Sequence, residues 1–216
     1  MHLSPRSNSM LLVKTPPAMP GQRIGLMGGS FNPPHEGHVA ISQTALKRLK
    51  LDRLWWIVSP GNPLKDHAGL PPLKARIATS KALIGQNPRI VVTGFEADLG
   101  TSYTWATIEF LKRRYPLVHF VWIMGADNLA QFHQWRNWRR VAQSLPIAVI
   151  DRPGWHLGAL ASPSAVSLAR WRVPASLTAN LAIRKTPAWT FLPTRLSAAS
   201  STQIRRSADK HPMPTR

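Results

Sequence analysis

Two histidines, His35 and His38, stand three residues apart in the stretch Gly28 to His38, which reads GGSFNPPHEGH. Residues at i and i+3 of a helix share a face, so a helix starting here presents both imidazoles together. Gly28 and Gly29 carry no side chain and let a ligand approach the backbone. Pro33 and Pro34 stiffen the turn and withhold two amide donors. A helix start also supplies free N–H groups and a partial positive charge. Two imidazoles above such a terminus make a socket for an anion such as phosphate.

The flanking segments are of the right kind to hold that socket. Arg23-Ile24-Gly25-Leu26-Met27 is a short apolar run of strand length. After the histidines, apolar residues fall at 39, 41, 45, 46 and 49, close to helical spacing. The stretch is therefore a strand–loop–helix junction. It is not a Walker loop, since no Gly-Lys-Ser/Thr follows, and it lacks the G-x-G-x-x-G dinucleotide pattern. His-Glu-Gly-His is one residue short of the H-E-x-x-H zinc helix, and the chain has no cysteine to complete a metal site.

From Gly29 to His38 the chain closely resembles the signature of the nucleotidylyltransferase superfamily, G-[ST]-F-[DN]-P-x-H-x-G-H, and meets every position of it. A second signature, I-S-S-T-x-I-R or close to it, is resembled by Ala199-Ser200-Ser201-Thr202-Gln203-Ile204-Arg205, with only the leading Ile replaced. Within the superfamily the chain is most similar to the nicotinate-nucleotide adenylyltransferases, over roughly residues 23 to 206. That resemblance rests on Pro60-Gly61-Asn62-Pro63-Leu64-Lys65, Ser102-Tyr103-Thr104, Met124-Gly125-Ala126-Asp127, Phe132 with Trp135, and Arg152-Pro153-Gly154, in that order. Two positions depart from the pattern. Leu64 precedes Lys65 where His is common, and Arg136 follows the tryptophan where an aromatic residue is common.

At 216 residues the chain is long enough for one domain with a real core, and 44% of it is apolar. The absence of cysteine excludes a disulfide framework and thiolate chemistry, and is compatible with the cytoplasm. No window of about 18 apolar residues is present, so no membrane span is expected. The net charge of +19 suits anionic partners. The basic residues are scattered, however, so nucleic-acid binding is not expected as the main function. Residues 1–22, rich in Pro, Ser and Met, read as a mobile extension or a misplaced start, dispensable for activity. Residues 23–206 read as the domain and 207–216 as a tail.

Strands are expected at 53–59, 89–93, 118–124, 146–150 and 189–192, besides the first one. Helices are expected over 73–84, 104–114 and around 135–143, with a loop from 94 to 103 and a last helix opening at Thr202. Residues 155–187 are poorly patterned, with one or two short helices expected. Strand alternating with helix argues for an α/β, Rossmann-like, doubly wound parallel sheet of about six strands with helices on both faces. In such sheets ligands sit beyond the carboxyl ends of the strands, at the switch point.

The resemblance implies transfer of AMP from ATP to nicotinate mononucleotide, giving nicotinate adenine dinucleotide and pyrophosphate. It assigns His35, His38, Lys65 and Arg205 to catalysis. Gly28, Gly29, Ser30, Phe31, Asp127, Arg152, Ser201 and Thr202 are assigned to ATP. Tyr103, Thr104 and Trp135 are assigned to nicotinate mononucleotide. Mg2+ is implied with ATP, held largely by the nucleotide and water. Taken as residues alone, Asp127 also fits a helix cap, Tyr103-Thr104 a loop cap, Trp135 a core position and Arg152 a surface cation. Another acceptor, nicotinamide mononucleotide or phosphopantetheine, is the alternative enzyme reading. A basic nucleic-acid-binding module is the alternative outside catalysis.

Overall fold

A computed structural model describes residues 13–61 and 69–193. Six strands, β1 (Arg23–Gly29), β2 (Arg53–Val58), β3 (Ile90–Thr93), β4 (His119–Gly125), β5 (Ile147–Ile150) and β6 (Trp189–Leu192), form one sheet. Every pairing is parallel and the order is β3-β2-β1-β4-β5-β6. The strand order thus reverses between β1 and β4, the two central strands. This is the expected doubly wound arrangement, with the switch point directly after the glycine-rich stretch.

Each strand alternates its side chains between two cores, as the pleat requires. Trp55 and Ile57 of β2 face one core, and Leu54, Trp56 and Val58 face the other. In β4, Phe120, Trp122 and Met124 oppose Val121 and Ile123. Helix α1 (Glu36–Arg48) brings Ile41, Ala45 and Leu46 to the second core. Helix α2 (Leu73–Ile84) adds Leu73, Ile77, Leu83 and Ile84 there, together with the 3-10 segment Ala175–Ile183. The first core is covered by α4 (Thr104–Arg114), α5 (Ala126–Gln131) and α6 (Trp138–Ser144), through Ile108, Leu111, Leu129, Val141 and Ala142. Helices on both faces leave every strand buried, which is why the strands read as continuous apolar runs.

The expected boundaries of 73–84 and 104–114 coincide with α2 and α4, and each strand agrees to within a residue or two. Two regions differ. The expected loop at 94–103 contains a four-residue helix, α3 (Glu96–Leu99), too short to leave a period. The helix expected around 135–143 begins at Trp138, after α5 and a 3-10 turn, Phe132–Gln134. Residues 155–187 hold the short helices expected there, α7 (His156–Leu160) and α8 (Pro163–Ser167), and further 3-10 turns.

The extension expected over residues 1–22 is also corrected where it is described. Val13 is buried in the first core. Thr15 Oγ1 lies 2.7 Å from Tyr115 Oη, and Tyr115 Oη donates to the Pro16 carbonyl at 3.0 Å. Gly21 N–H donates to the Leu117 carbonyl at 2.7 Å. Composition hid this, because Pro and polar residues make these contacts through backbone and hydroxyl groups rather than through an apolar face. The helix expected from Thr202 lies outside the described residues.

Candidate active site

The end of β1 and the start of α1 set the histidines. His35 is extended, with φ −151° and ψ 166°, and caps α1, so the helix starts one residue later. The backbone N–H of His35 donates to His38 Nδ1 at 3.2 Å, and the two rings lie 3.8 Å apart between centroids. Glu36 in the first turn and Lys47 and Arg48 in the last complement the helix dipole. Ser42 Oγ donates to the His38 carbonyl at 2.8 Å and accepts from Trp56 Nε1 at 2.7 Å, which ties α1 to β2.

Phe31 forms the wall behind His38. Its ring stacks on Trp56, 4.9 Å between centroids, and lies 4.9 Å from the His38 ring. Phe31 is only 2% exposed, so its side chain is a support; only its backbone can meet a ligand. The space beside Gly28 is likewise occupied: a Cβ there would lie 2.8 Å from the Trp122 ring. The glycine at 28 is therefore also required by packing between β1 and β4. At Gly29 a Cβ would meet Phe31 at 3.4 Å, an ordinary contact.

Across the switch point, β4 and β5 supply the second half. Asp127 stands in the first turn of α5, directly after β4. Arg152 follows β5, and its Nη1 donates to Asp127 Oδ2 at 3.1 Å. A Cβ on Gly125 would lie 2.4 Å from Asp127 Oδ1 and 2.8 Å from Arg152 Cδ, so only glycine lets the pair close over the strand end. Asp127 Oδ1 is buried with no hydrogen-bond partner among the described residues. His35 is close enough to feel both charges. Burial first, then the Arg152 charge, lowers its pKa to about 4, against a weaker upward pull from Asp127. Burial, then His35 and Arg152, lowers that of His38 to about 3. Both imidazoles are therefore neutral near pH 7, and with Nδ1 of His38 accepting, its proton is carried on Nε2.

The model of the Cytidylyltransferase-like family matches residues 26–207. The chain belongs to this family. Among its relatives are proteins named "Probable nicotinate-nucleotide adenylyltransferase". The one from Methylorubrum extorquens strain PA1 is 55% identical over 183 residues, 85% of this chain and 98% of that protein. The one from Rhizobium meliloti strain 1021 is 53% identical over 182 residues, 84% of this chain and 96% of that protein. Membership thus extends to the nicotinate-nucleotide adenylyltransferases. The solved structure of the Plasmodium falciparum nicotinic acid mononucleotide adenylyltransferase, complexed with NaAD, shares the fold at a TM-score of 0.65 and 16% identity. It covers 86% of this chain, which covers 83% of it.

In this family member Tyr103 and Thr104 stand at the start of α4, and Trp135 follows the 3-10 turn after α5. Tyr103 precedes α4, which starts without a side-chain cap, and Thr104 is its first residue. Trp135 is half-buried and meets Phe132 and Trp122 edge-on, at 5.3 and 6.3 Å. Its neighbour Arg136 lies over the Tyr103 ring at 5.0 Å, so the two segments adjoin there. Lys65, Ser201, Thr202 and Arg205 lie outside the described residues.

Two residues escaped the sequence reading. Glu96 is buried and accepts from Thr107 Oγ1 at 2.6 Å; burial raises its pKa to about 7, against the smaller effect of that bond. Arg76, on α2, is 3% exposed. The signal for Arg76 was available, since 73, 76, 77, 80 and 84 make one helical stripe whose other members are apolar or small.

No helix among the described residues is long and apolar enough to cross a membrane.

Proposed function

We propose that the protein transfers AMP from MgATP to nicotinate mononucleotide in the cytoplasm, forming nicotinate adenine dinucleotide for NAD biosynthesis. The acceptor phosphate oxygen attacks the α-phosphorus of ATP. The bond to the α–β bridging oxygen breaks, and pyrophosphate leaves with its electron pair. The nucleophile is already an oxyanion, so no general base or covalent enzyme intermediate is required. Catalysis consists of positioning and of stabilising charge at the reacting phosphates.

The observation that carries this reading is the His35–His38 pair at the start of a thirteen-residue helix, at the switch point between β1 and β4. A helix start with neutral N–H donors suits a polyphosphate that brings its own counter-ion. His38 Nε2–H donates to the oxygens at the α-phosphorus, and His35 assists. Ser30 and Gly29 offer backbone to the nucleotide, and Asp127 with Arg152 meets its ribose and adenine. Lys65 and Arg205 add charge, and Ser201 and Thr202 hold the β- and γ-phosphates. Among the described residues, no three His, Cys, Asp or Glu side chains converge on one point. The magnesium ion would arrive as part of MgATP, held largely by phosphate and water. Tyr103, Thr104 and Trp135 receive the acceptor, the open N–H groups of α4 facing its carboxylate.

The test is the initial rate of pyrophosphate release at fixed MgATP with each of three acceptors. An amide in place of the carboxylate leaves a donor facing a donor, at a cost of about 1–3 kcal/mol. Hence kcat/KM is expected to favour nicotinate mononucleotide over nicotinamide mononucleotide by roughly 10- to 100-fold or more. Equal efficiencies would establish a dual-specificity enzyme, and a preference for phosphopantetheine would overturn the assigned acceptor.

A further inference from the structure

Arg76 places a guanidinium in the protein interior with no carboxylate beside it among the described residues; its hydrogen bonds go to carbonyls. Its Nη1 donates to the carbonyls of Ser30 at 2.7 Å and Ser59 at 2.8 Å. Its Nε donates to the Pro71 carbonyl at 2.9 Å, and Nη2 to that of Pro60 at 3.3 Å. These acceptors belong to the loop after β1, the end of β2 and the approach to α2. Ser59 N–H in turn donates to the Gly29 carbonyl at 2.9 Å. Arg76 therefore closes a ring of hydrogen bonds over the carboxyl ends of β1 and β2. A buried cation is a costly way to gain stability, since apolar packing of similar volume serves as well.

What the ring holds is unusual backbone. The Ser30 carbonyl belongs to the peptide that leads into Phe31, whose φ is +46°, a region that L side chains seldom occupy. Phe31 in that conformation lays its ring between Trp56 and His38. A contiguous path thus runs from the Arg76 guanidinium through the Ser30 carbonyl and the Phe31 ring to the His38 imidazole.

We propose that Arg76 is a positioning residue for AMP transfer: by holding the Ser30 carbonyl it keeps Phe31 in its left-handed turn and so fixes the His38 ring. This rests on the role assigned to His38 above. Lysine at 76 keeps the charge but cannot reach carbonyls on three segments with one ammonium.

The decisive comparison is Arg76→Lys against wild type and His38→Ala, each shown to be folded by circular dichroism. Steady-state kinetics are read well below the unfolding temperature, with long-range nitrogen NMR of the histidine rings and the His38 signals assigned by their loss in His38→Ala. Folded Arg76→Lys is expected to lose about 10-fold or more in kcat, with KM for the acceptor within about twofold of wild type. His38 should pass from the single Nε2–H form to a mixture of tautomers. Wild-type kcat with an unchanged His38 tautomer in folded Arg76→Lys would overturn the inference. If Arg76→Lys does not fold, Phe31→Leu decides. It removes the ring between the loop and His38, and should give the same loss and the same mixed tautomers; wild-type behaviour would overturn the inference. His38→Ala with wild-type turnover would instead remove the reading of His38, a separate failure.

Discussion

The backbone N–H of His35 donates to Nδ1 of His38 at 3.2 Å, so the first residue of the histidine pair chooses the tautomer of the second. An accepting Nδ1 puts the ring proton on Nε2, the nitrogen at the far side of the ring. The His38 imidazole is thus held as a neutral donor, oriented by the helix start itself, which is the form its proposed role requires.

Removal of that donor should be felt in turnover. His38→Ala is expected to lower kcat at least about 100-fold, the scale of one lost donor to developing charge, roughly 2.7–4 kcal/mol. The His38 ring is only partly buried and its helix is held by Ile41, Ala45 and Leu46, so the fold should survive. Single-turnover rates with matched thermal unfolding curves check both halves.

Stability should depend on pH with two opposite contributions. The folded state keeps His35 and His38 neutral down to about 4 and about 3, whereas the unfolded chain protonates them near 6.5. In that window the unfolded state binds more protons, so the stability present above pH 6.5 is lost as pH falls. The slope is up to about 1.4 kcal/mol per pH unit for each histidine. Glu96 has the opposite sign. Its folded pKa of about 7 exceeds the ordinary 4.5, so the stability it contributes at low pH is lost as pH rises through 7. Glu96→Gln keeps an acceptor for Thr107 without the charge. It should match wild type near pH 5 and exceed it at pH 8, by on the order of 1–3 kcal/mol in chemical denaturation.

The glycines separate into two kinds. Gly28→Ala drives a Cβ to 2.8 Å from the buried Trp122 ring and is expected to cost about 1–3 kcal/mol. Gly158, in α7, has nothing within 4 Å of its would-be Cβ, so Gly158→Ala should stabilise by about 0.4–1 kcal/mol. Urea midpoints of the two variants should move in opposite directions.

The start of the described chain is part of the fold. Val13→Ala is expected to cost about 1–2 kcal/mol, as lost apolar burial in the first core. Deleting residues 1–20 removes Val13 and the Thr15 and Pro16 contacts to Tyr115, so it should lower the unfolding temperature by several degrees. An unchanged temperature would return these residues to the status of a dispensable extension.

Much of this protein is legible without coordinates. The six strands, the α2 and α4 boundaries and the histidine-bearing junction all follow from local periodicity and turn chemistry, which neighbouring residues carry by themselves. The doubly wound sheet follows from strands alternating with helices, since parallel strands need such crossovers. Long-range packing decided the rest. The stripe of α2 places Arg76 on the buried face, but only the fold supplies the carbonyls of Ser30, Ser59, Pro60 and Pro71 that surround it. Gly28 reads as a loop glycine, and only the fold shows that Trp122, 94 positions away, also demands it. Phe31 reads as part of a nucleotide loop until it is found stacked on Trp56 behind His38. The lowered histidine pKa values come first from burial, to which Arg152, distant in the chain, adds. Periodicity reports which face of an element is apolar; burial, charge state and close approach depend on what the rest of the chain brings to that face.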